Sequence, residues 1–404
     1  MDLDSEFYRD LARPGTSKIV LLVMDGLGGL PMEPGGPTAL EAADTPHLDA
    51  LAQEGICGLH EPVGPGVTPG SGPAHLALFG YDPVRHDVGR GALSALGVGF
   101  ALGPQDVAAR GNFCTVDEDL TVVDRRAGRI STEACAALCA LLRERVQLPN
   151  VTCFIEPVRD HRFLLVLRGN GLSGEVEDTD PQVVGEKVLE PKAASSAGKR
   201  TARLVAEFVR QAREALADRK PANMVLLRGF ARRPNWPTLE EQYGLRGAVI
   251  SGYPMYRGVG SLLGMEVLET GADPEEEVAV LERHWGDHDL FFLHVKATDA
   301  AGEDGDWERK VAEIAAVDAL VPRIRALAPD VLVVTGDHST PAALRAHSWH
   351  PVPVVLWSRH SRADDVARFG ERACVHGALG PRFRAVDLMP LMLANALRLA
   401  KYGA

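Results

Sequence analysis

The chain has 404 residues, 46% hydrophobic and 24% charged, which supplies full cores and length for two or three domains or one large domain with an insertion. Its formal net charge of −12 argues against a nucleic-acid or anionic-membrane partner, because both need a basic face. Any anion it handles must be met by Arg and Lys gathered locally.

The acidic start, Met1 to Glu6, has neither the basic nor the apolar region of a signal peptide. No apolar run approaches the ~18 residues that span a bilayer, so a cytoplasmic location is expected. The six cysteines (57, 114, 135, 139, 153, 374) form no CxxC pair and read as free thiols of a reducing compartment.

Taken in order, residues 5–12 predict a short amphipathic helix before Pro14-Gly15. Lys18 to Met24 is a continuous aliphatic run without alternation, as in a parallel-sheet strand covered on both faces. It ends in the glycine-rich turn Asp25-Gly26-Leu27-Gly28-Gly29. Thr45 reads as an N-cap with Pro46 at the first helical position. A Pro/Gly-rich stretch then leads through Gly70-Ser71-Gly72-Pro73 into a helical segment, Ala74 to Phe79. Ser71 would stand at a helix N-terminus, where free amides and the dipole favour an anion.

From about residue 90 to 260 the texture changes. Short β-like runs (Thr121–Val123, Phe163–Val166, Met224–Leu227) alternate with two helices, 132–146 and 201–217, and arginines are frequent. Strand–helix alternation resumes near 262, with strands at 290–296, 331–335 and 352–357, and helices at 308–320 and 388–399. The simplest organisation is one α/β domain built from residues 1–88 and 262–404, with a second α/β domain, 89–261, inserted as a unit. The glycine-rich crossings, 85–91 and 255–264, are the hinge candidates.

Three stretches place acids after apolar runs: Asp25, Asp299 and the pair Asp337-His338, with His347 close behind. In doubly wound sheets, sites form at the carboxyl ends of strands. Mixed oxygen and nitrogen donors suit Mn²⁺, Zn²⁺ or Mg²⁺. Five ligands exceed what one open catalytic ion needs, so two ions near a nucleophile are the economical reading. Ser71 is the candidate nucleophile, since a serine hydroxyl needs a base or a metal to lose its proton. His75 either lines the site or packs. His294 reads as structural. Lys296 is expected to face away from the side of His294, within reach of a phosphate.

The motifs now carry a resemblance. Met24-Asp-Gly-Leu-Gly-Gly29, Thr45-Pro-His-Leu-Asp49, the run from Pro69 to Pro83 and Gly89-Arg-Gly91 are similar to the archaeal-type cofactor-independent phosphoglycerate mutases of the alkaline phosphatase superfamily. So are Asp124-Arg-Arg-Ala-Gly-Arg129, Asp178-Thr-Asp-Pro181, His294-Val-Lys-Ala-Thr-Asp299, Thr335-Gly-Asp-His-Ser-Thr-Pro341 and Ala346-His-Ser348. The resemblance spans nearly the whole chain. It implies an alkaline-phosphatase-like doubly wound sheet domain that holds two divalent ions, usually Mn²⁺ (Zn²⁺, Co²⁺ and Mg²⁺ being the other choices). Asp25, Ser71, Asp337 and His338 would hold one ion; Asp299, His347 and Glu303 would hold the other. The inserted domain would bind the phosphoglycerate substrate, with Arg125, Arg228, Arg257 and Asp180 as best choices and Lys296 added from the metal-binding domain. The implied reaction interconverts 3-phosphoglycerate and 2-phosphoglycerate through phosphorylated Ser71, without 2,3-bisphosphoglycerate. Asp180 or Asp124 would serve the glycerate hydroxyls as acid–base groups. A homo-oligomer is compatible with the sequence, which fixes no oligomeric state.

Three departures from the family pattern stand out. Gly72-Pro73 replaces Asp-Thr, Ser94 replaces a glutamate, and Glu303 stands where a histidine is expected. A carboxylate at 303 adds negative charge and favours harder metals; His350 is the nearby residue that could compensate. Two other activities compete: a metal-dependent phosphatase of the same superfamily, and a homoserine-kinase-like relative. The second would need ATP, and no GxxxxGK[ST] loop is present.

Overall fold

The computed structural model describes residues 5–403 and divides the chain into two compact units, 1–87 with 237–404, and 88–236. The first stretch carries strands β1 (Ile19–Met24) and β2 (Ile56–Glu61). The middle stretch carries β3 (Val107–Val116), β4 (Val122–Asp124), β5 (Thr152–Arg159), β6 (Arg162–Arg168) and β7 (Met224–Ala231). The last stretch carries β8 (Gly247–Ile250), β9 (Glu266–Leu268), β10 (Leu290–Val295), β11 (Val331–Thr335), β12 (Val352–Ser358) and β13 (Gly380–Arg384).

In the first unit, eight strands form one sheet in the order β13-β2-β12-β11-β1-β10-β8-β9. Strand β1 lies between β10 and β11, parallel to both. Every residue of β1, β10 and β11 is buried, so their unbroken aliphatic runs are covered on both faces. Parallel pairing brings the carboxyl ends of all three strands to the same edge, from which the turns carrying Asp25 and Asp337 and the helix carrying Asp299 leave. Strand β12 runs antiparallel to both β11 and β2. Chain return to this unit comes earlier than residue 262: β8 pairs in parallel with β10, and the helix Pro254–Leu262 follows it. A four-residue strand carries too little pattern to be told from a loop in sequence.

The second unit is a five-stranded antiparallel sheet in the order β4-β3-β6-β5, with β7 also pairing β3, along the edge opposite β6. The helices Thr132–Arg145 and Lys199–Leu216 contribute Cys135, Cys139, Leu142, Val205, Phe208 and Leu216 to its core, against Phe113, Phe163 and Val225 of the sheet. Of the six cysteines, all free, five are buried and Cys153 is half-buried. Among the described residues no helix is long and apolar enough to cross a membrane.

Candidate metal centre

Asp25 follows β1 directly, where the chain must turn sharply. Gly26 makes that turn at φ +63°, and a Cβ there would meet the Thr340 hydroxyl at 2.5 Å and Asp299 Oδ1 at 2.8 Å. The close approach matters because the Gly26 amide donates to Asp337 Oδ1 at 3.0 Å, tying the turn after β1 to the turn after β11.

Both acids are wholly buried, and each has one anchored oxygen and one open one. Asp25 Oδ2 accepts from the Tyr256 phenol and from Lys296 Nζ at 2.9 Å, with His294 Nε2 at 3.3 Å. Asp25 Oδ1 and Asp337 Oδ2 have no hydrogen-bond partner. They face His338 Nε2 at 3.4 and 3.1 Å. The Ser71 hydroxyl, on the first residue of the helix Ser71–Leu78, lies 3.2 Å from the same nitrogen.

The tautomer of His338 follows from its other nitrogen. Nδ1 is 3.0 Å from the Thr340 hydroxyl, which in turn donates to Asp299 Oδ1 at 2.6 Å. A hydroxyl that gives its only hydrogen to a carboxylate accepts from the imidazole, so Nδ1 carries the proton and Nε2 presents a lone pair. Burial keeps His338 neutral, far below the usual imidazole range. His347 repeats the arrangement: Nδ1 meets the Pro69 carbonyl at 3.0 Å, and Nε2 faces Asp299 Oδ1 at 3.7 Å. The His338 and His347 rings stack with centroids 3.6 Å apart.

Carboxyl oxygens without hydrogen-bond partners thus converge on an imidazole lone pair, which fits a divalent cation. Asp25, Asp337 and His338 offer one ligand atom each within 4.8 Å of one another, and Asp299, His338 and His347 do the same. His338 belongs to both groups, where the sequence expectation gave it to one. Glu303 stands at the rim, its side chain 56% exposed and 3.9 Å from His347. Burial, then the charge of Asp299, pushes its carboxyl above the ordinary value. His350 bonds the Ser348 hydroxyl and stacks on Trp349 instead of joining either group.

Electrostatics separate the two central acids. Burial works against ionising Asp25, but Lys296, His294 and His338 outweigh it and hold its carboxyl well below the usual range. Burial and the charge of Asp25 push Asp337 well above that range.

Two expectations about this unit change. Asp299 does not stand at the strand's end; β10 ends at Val295, and Asp299 lies on the helix Ala297–Asp304, one turn before Glu303. Lys296 does not face away from His294. The chain leaves the strand at Lys296, and its ammonium bridges Asp25 Oδ2 at 2.9 Å and Asp299 Oδ2 at 2.5 Å. His75 lines the site, with Nδ1 2.8 Å from the Ser71 carbonyl and 3.3 Å from Asp337 Oδ2. Tyr256 was not singled out in the sequence. It is fully buried and stacks on His294 at 3.4 Å, and only the fold gives its hydroxyl a carboxylate.

Arg257, expected in the inserted domain, lies in the first unit. Its guanidinium is engaged by the Ser251 carbonyl at 2.7 Å, the Thr270 carbonyl at 3.0 Å and Glu269 at 3.1 Å. In the second unit Arg125 grips Asp180 through two bonds of 3.0 and 2.7 Å, and Arg228 approaches the same carboxylate at 3.9 Å. Asp180 is held below the usual carboxylate range: burial opposes this, and Arg125 prevails. Burial, aided by Arg90, lowers Arg228 to about 10. Asp124 accepts the amides of Arg126 and Gly128, an ordinary turn-capping use of the side chain.

Fold and geometry together define a mixed α/β protein with candidate metal clusters at the carboxyl edge of its larger sheet. The family model for 2,3-bisphosphoglycerate-independent phosphoglycerate mutase matches residues 52–223. A Thermus thermophilus protein named "Probable 2,3-bisphosphoglycerate-independent phosphoglycerate mutase" is 52% identical over 98% of both chains, and a Thermotoga neapolitana protein of the same name is 48% identical over 99% of both. The chain belongs to the 2,3-bisphosphoglycerate-independent phosphoglycerate mutase family. Among solved structures, the cofactor-independent phosphoglycerate mutase of Thermoplasma acidophilum is 27% identical, with TM-score 0.68 over 94% of this chain and all of that one. A Pyrococcus horikoshii protein is 31% identical, with TM-score 0.82 over 98% of this chain and all of the other.

Proposed function

We propose that this enzyme interconverts 3-phosphoglycerate and 2-phosphoglycerate in the cytoplasm, with Ser71 as the phosphoryl carrier and two divalent ions, Mn²⁺ by preference, at the carboxyl edge of the larger sheet. The observation that carries the reading is the position of the Ser71 hydroxyl, 3.2 Å from His338 Nε2, the nitrogen that the open oxygens of Asp25 and Asp337 also face. Asp25, Ser71, Asp337 and His338 would hold one ion, and Asp299, His347 and Glu303 the other. When bound, such ions supply positive charge that lowers the serine pKa and offsets charge on the transferring phosphoryl group.

The chain's own residues do the rest. Ser71 Oγ forms a bond to phosphorus as the bond to the glycerate oxygen breaks, and the serine proton passes to that oxygen. Glycerate reorients, and its other hydroxyl takes the phosphoryl group while returning a proton to Ser71. Lys296 balances the charge of Asp25 and Asp299, and would exchange one of its present partners, Asp25, Asp299 or the Tyr256 hydroxyl, for a phosphate oxygen. Arg125 and Arg228 supply the forked donors that recognise carboxylate and phosphate. Asp180, ionised and held by Arg125, orients those arginines instead of moving protons.

The test is a mutase assay on chelator-treated protein, with and without Mn²⁺ and with and without 2,3-bisphosphoglycerate. Activity should vanish with the metal, return with Mn²⁺ and ignore the bisphosphate. Full activity in the metal-free sample defeats the metal mechanism. Phosphate release exceeding 2-phosphoglycerate formation favours a phosphatase.

A further inference from the structure

Beneath the ligand turns lies a lysine with no exposed surface. Lys310, on the helix Trp307–Asp318, donates to the carbonyls of Gly26 at 2.7 Å, Gly28 at 3.1 Å and Thr340 at 2.8 Å. An ammonium has three N–H bonds, and all three are engaged. Burying such a group is costly unless its donors are satisfied. Burial lowers it to about 8, against the opposing charges of Glu371, Asp299 and Asp25.

The three carbonyls do not come from one turn. Gly26 and Gly28 belong to the turn that begins with Asp25, and Thr340 belongs to the turn that begins with Asp337 and His338. The two turns also bond each other directly: the Thr340 amide donates to the Gly26 and Gly28 carbonyls at 3.3 and 3.0 Å, and the Gly26 amide donates to Asp337 Oδ1 at 3.0 Å. Three carbonyl dipoles aimed at one point repel each other unless a cation sits between them. Thr340 also orients His338 and Asp299 through its hydroxyl. A shift of its backbone would therefore move ligands of both candidate clusters.

We infer that Lys310 is a positioning residue of the metal centre: its ammonium fastens the turn carrying Asp25 to the turn carrying Asp337 and His338, without touching any of these ligands. The inference rests on the metal-dependent reading above. The sequence motifs do not point to this lysine, because its partners are backbone carbonyls of turns 284, 282 and 30 residues away.

The experiment is a calorimetric Mn²⁺ titration of the chelator-stripped full-length chain, wild type against Lys310→Met, with thermal unfolding run on both. Lys310→Met keeps the length of the side chain and removes the donors. We expect a folded protein whose Mn²⁺ affinity falls ten- to a hundred-fold, the usual cost of losing a residue that orients metal ligands. Its mutase activity should recover when Mn²⁺ is raised in proportion, which a purely structural role would not produce. Mn²⁺ affinity equal to wild type overturns the inference. If Lys310→Met does not fold, Lys310→Arg decides. It keeps the charge, but its planar fork cannot aim three donors at these carbonyls, so the same loss of affinity is expected, and wild-type affinity overturns the inference. A wild-type chain that binds no Mn²⁺ at all instead defeats the metal reading itself.

Discussion

The Thr340 hydroxyl gives its hydrogen to Asp299 across 2.6 Å and leaves its oxygen to accept from His338. One small side chain thus joins a residue of each candidate cluster and fixes which nitrogen of His338 faces the ion. Thr340→Val keeps the shape and removes the hydroxyl. The expected outcome is a ten- to hundred-fold loss of Mn²⁺ affinity and a stability loss of about 1–3 kcal/mol from unpaired buried groups. Calorimetric titration beside thermal unfolding checks both, and unchanged Mn²⁺ affinity would refute the relay.

Ser71 stands apart from the purely ligating residues. Ser71→Ala should lower mutase turnover below about a thousandth of wild type, because the bond-forming atom is gone. Metal binding should persist, since Asp25, Asp337 and His338 are untouched. Wild-type chain incubated with labelled 3-phosphoglycerate and quenched in acid should carry label on Ser71; a fully active Ser71→Ala protein would end the phosphoserine route.

Glu303 sits at the rim, more than half exposed and 3.9 Å from His347. Its replacement should therefore matter less than that of buried Asp299. Glu303→His should shift selectivity toward Zn²⁺ relative to Mg²⁺, since imidazole is the softer donor. Competition titrations read the ratio directly, and a ratio identical to wild type means that Glu303 is no ligand.

Glu277 offers a pH signature away from the metal centre. It is buried, and only its Oε1 is bonded, by the Gly252 amide at 3.2 Å. Burial raises its carboxyl to about 9. The native state therefore keeps a proton that the unfolded chain loses above its ordinary value of about 4.3. With fewer protons bound in the unfolded state, this contribution to stability is fully present below about pH 4.3 and declines as pH rises toward 9. Glu277→Gln removes the titration. Its stability relative to wild type should rise by at least about 1 kcal/mol between pH 5 and pH 9. Denaturant unfolding at both pH values measures this, and a constant difference would contradict it.

Much of the metal centre was legible in sequence because its acids follow apolar runs too continuous to be anything but central strands. Asp25 and Asp337 needed only the rule that parallel strands end at one edge. Tyr256, Thr340 and Lys310 were not legible. Their partners are a carboxylate, an imidazole and three carbonyls supplied by distant turns, and no local pattern encodes such an encounter. Lys296 was misjudged against strand alternation, since residues two apart share a face and both it and His294 reach Asp25 Oδ2. Arg257 was assigned to the wrong unit because β8, the strand that returns the chain to the large sheet, is only four residues long.

The position of β1 sets an order of events at the ribosome. Its two sheet neighbours, β10 and β11, both come from beyond residue 289. The second unit, 88–236, is continuous and has its own hydrophobic core. As the chain emerges, that unit can close while the stretch carrying Asp25 and Ser71 still waits for its partners. The nascent enzyme must therefore keep one of the most apolar segments of its sequence out of trouble until most of the protein has been made.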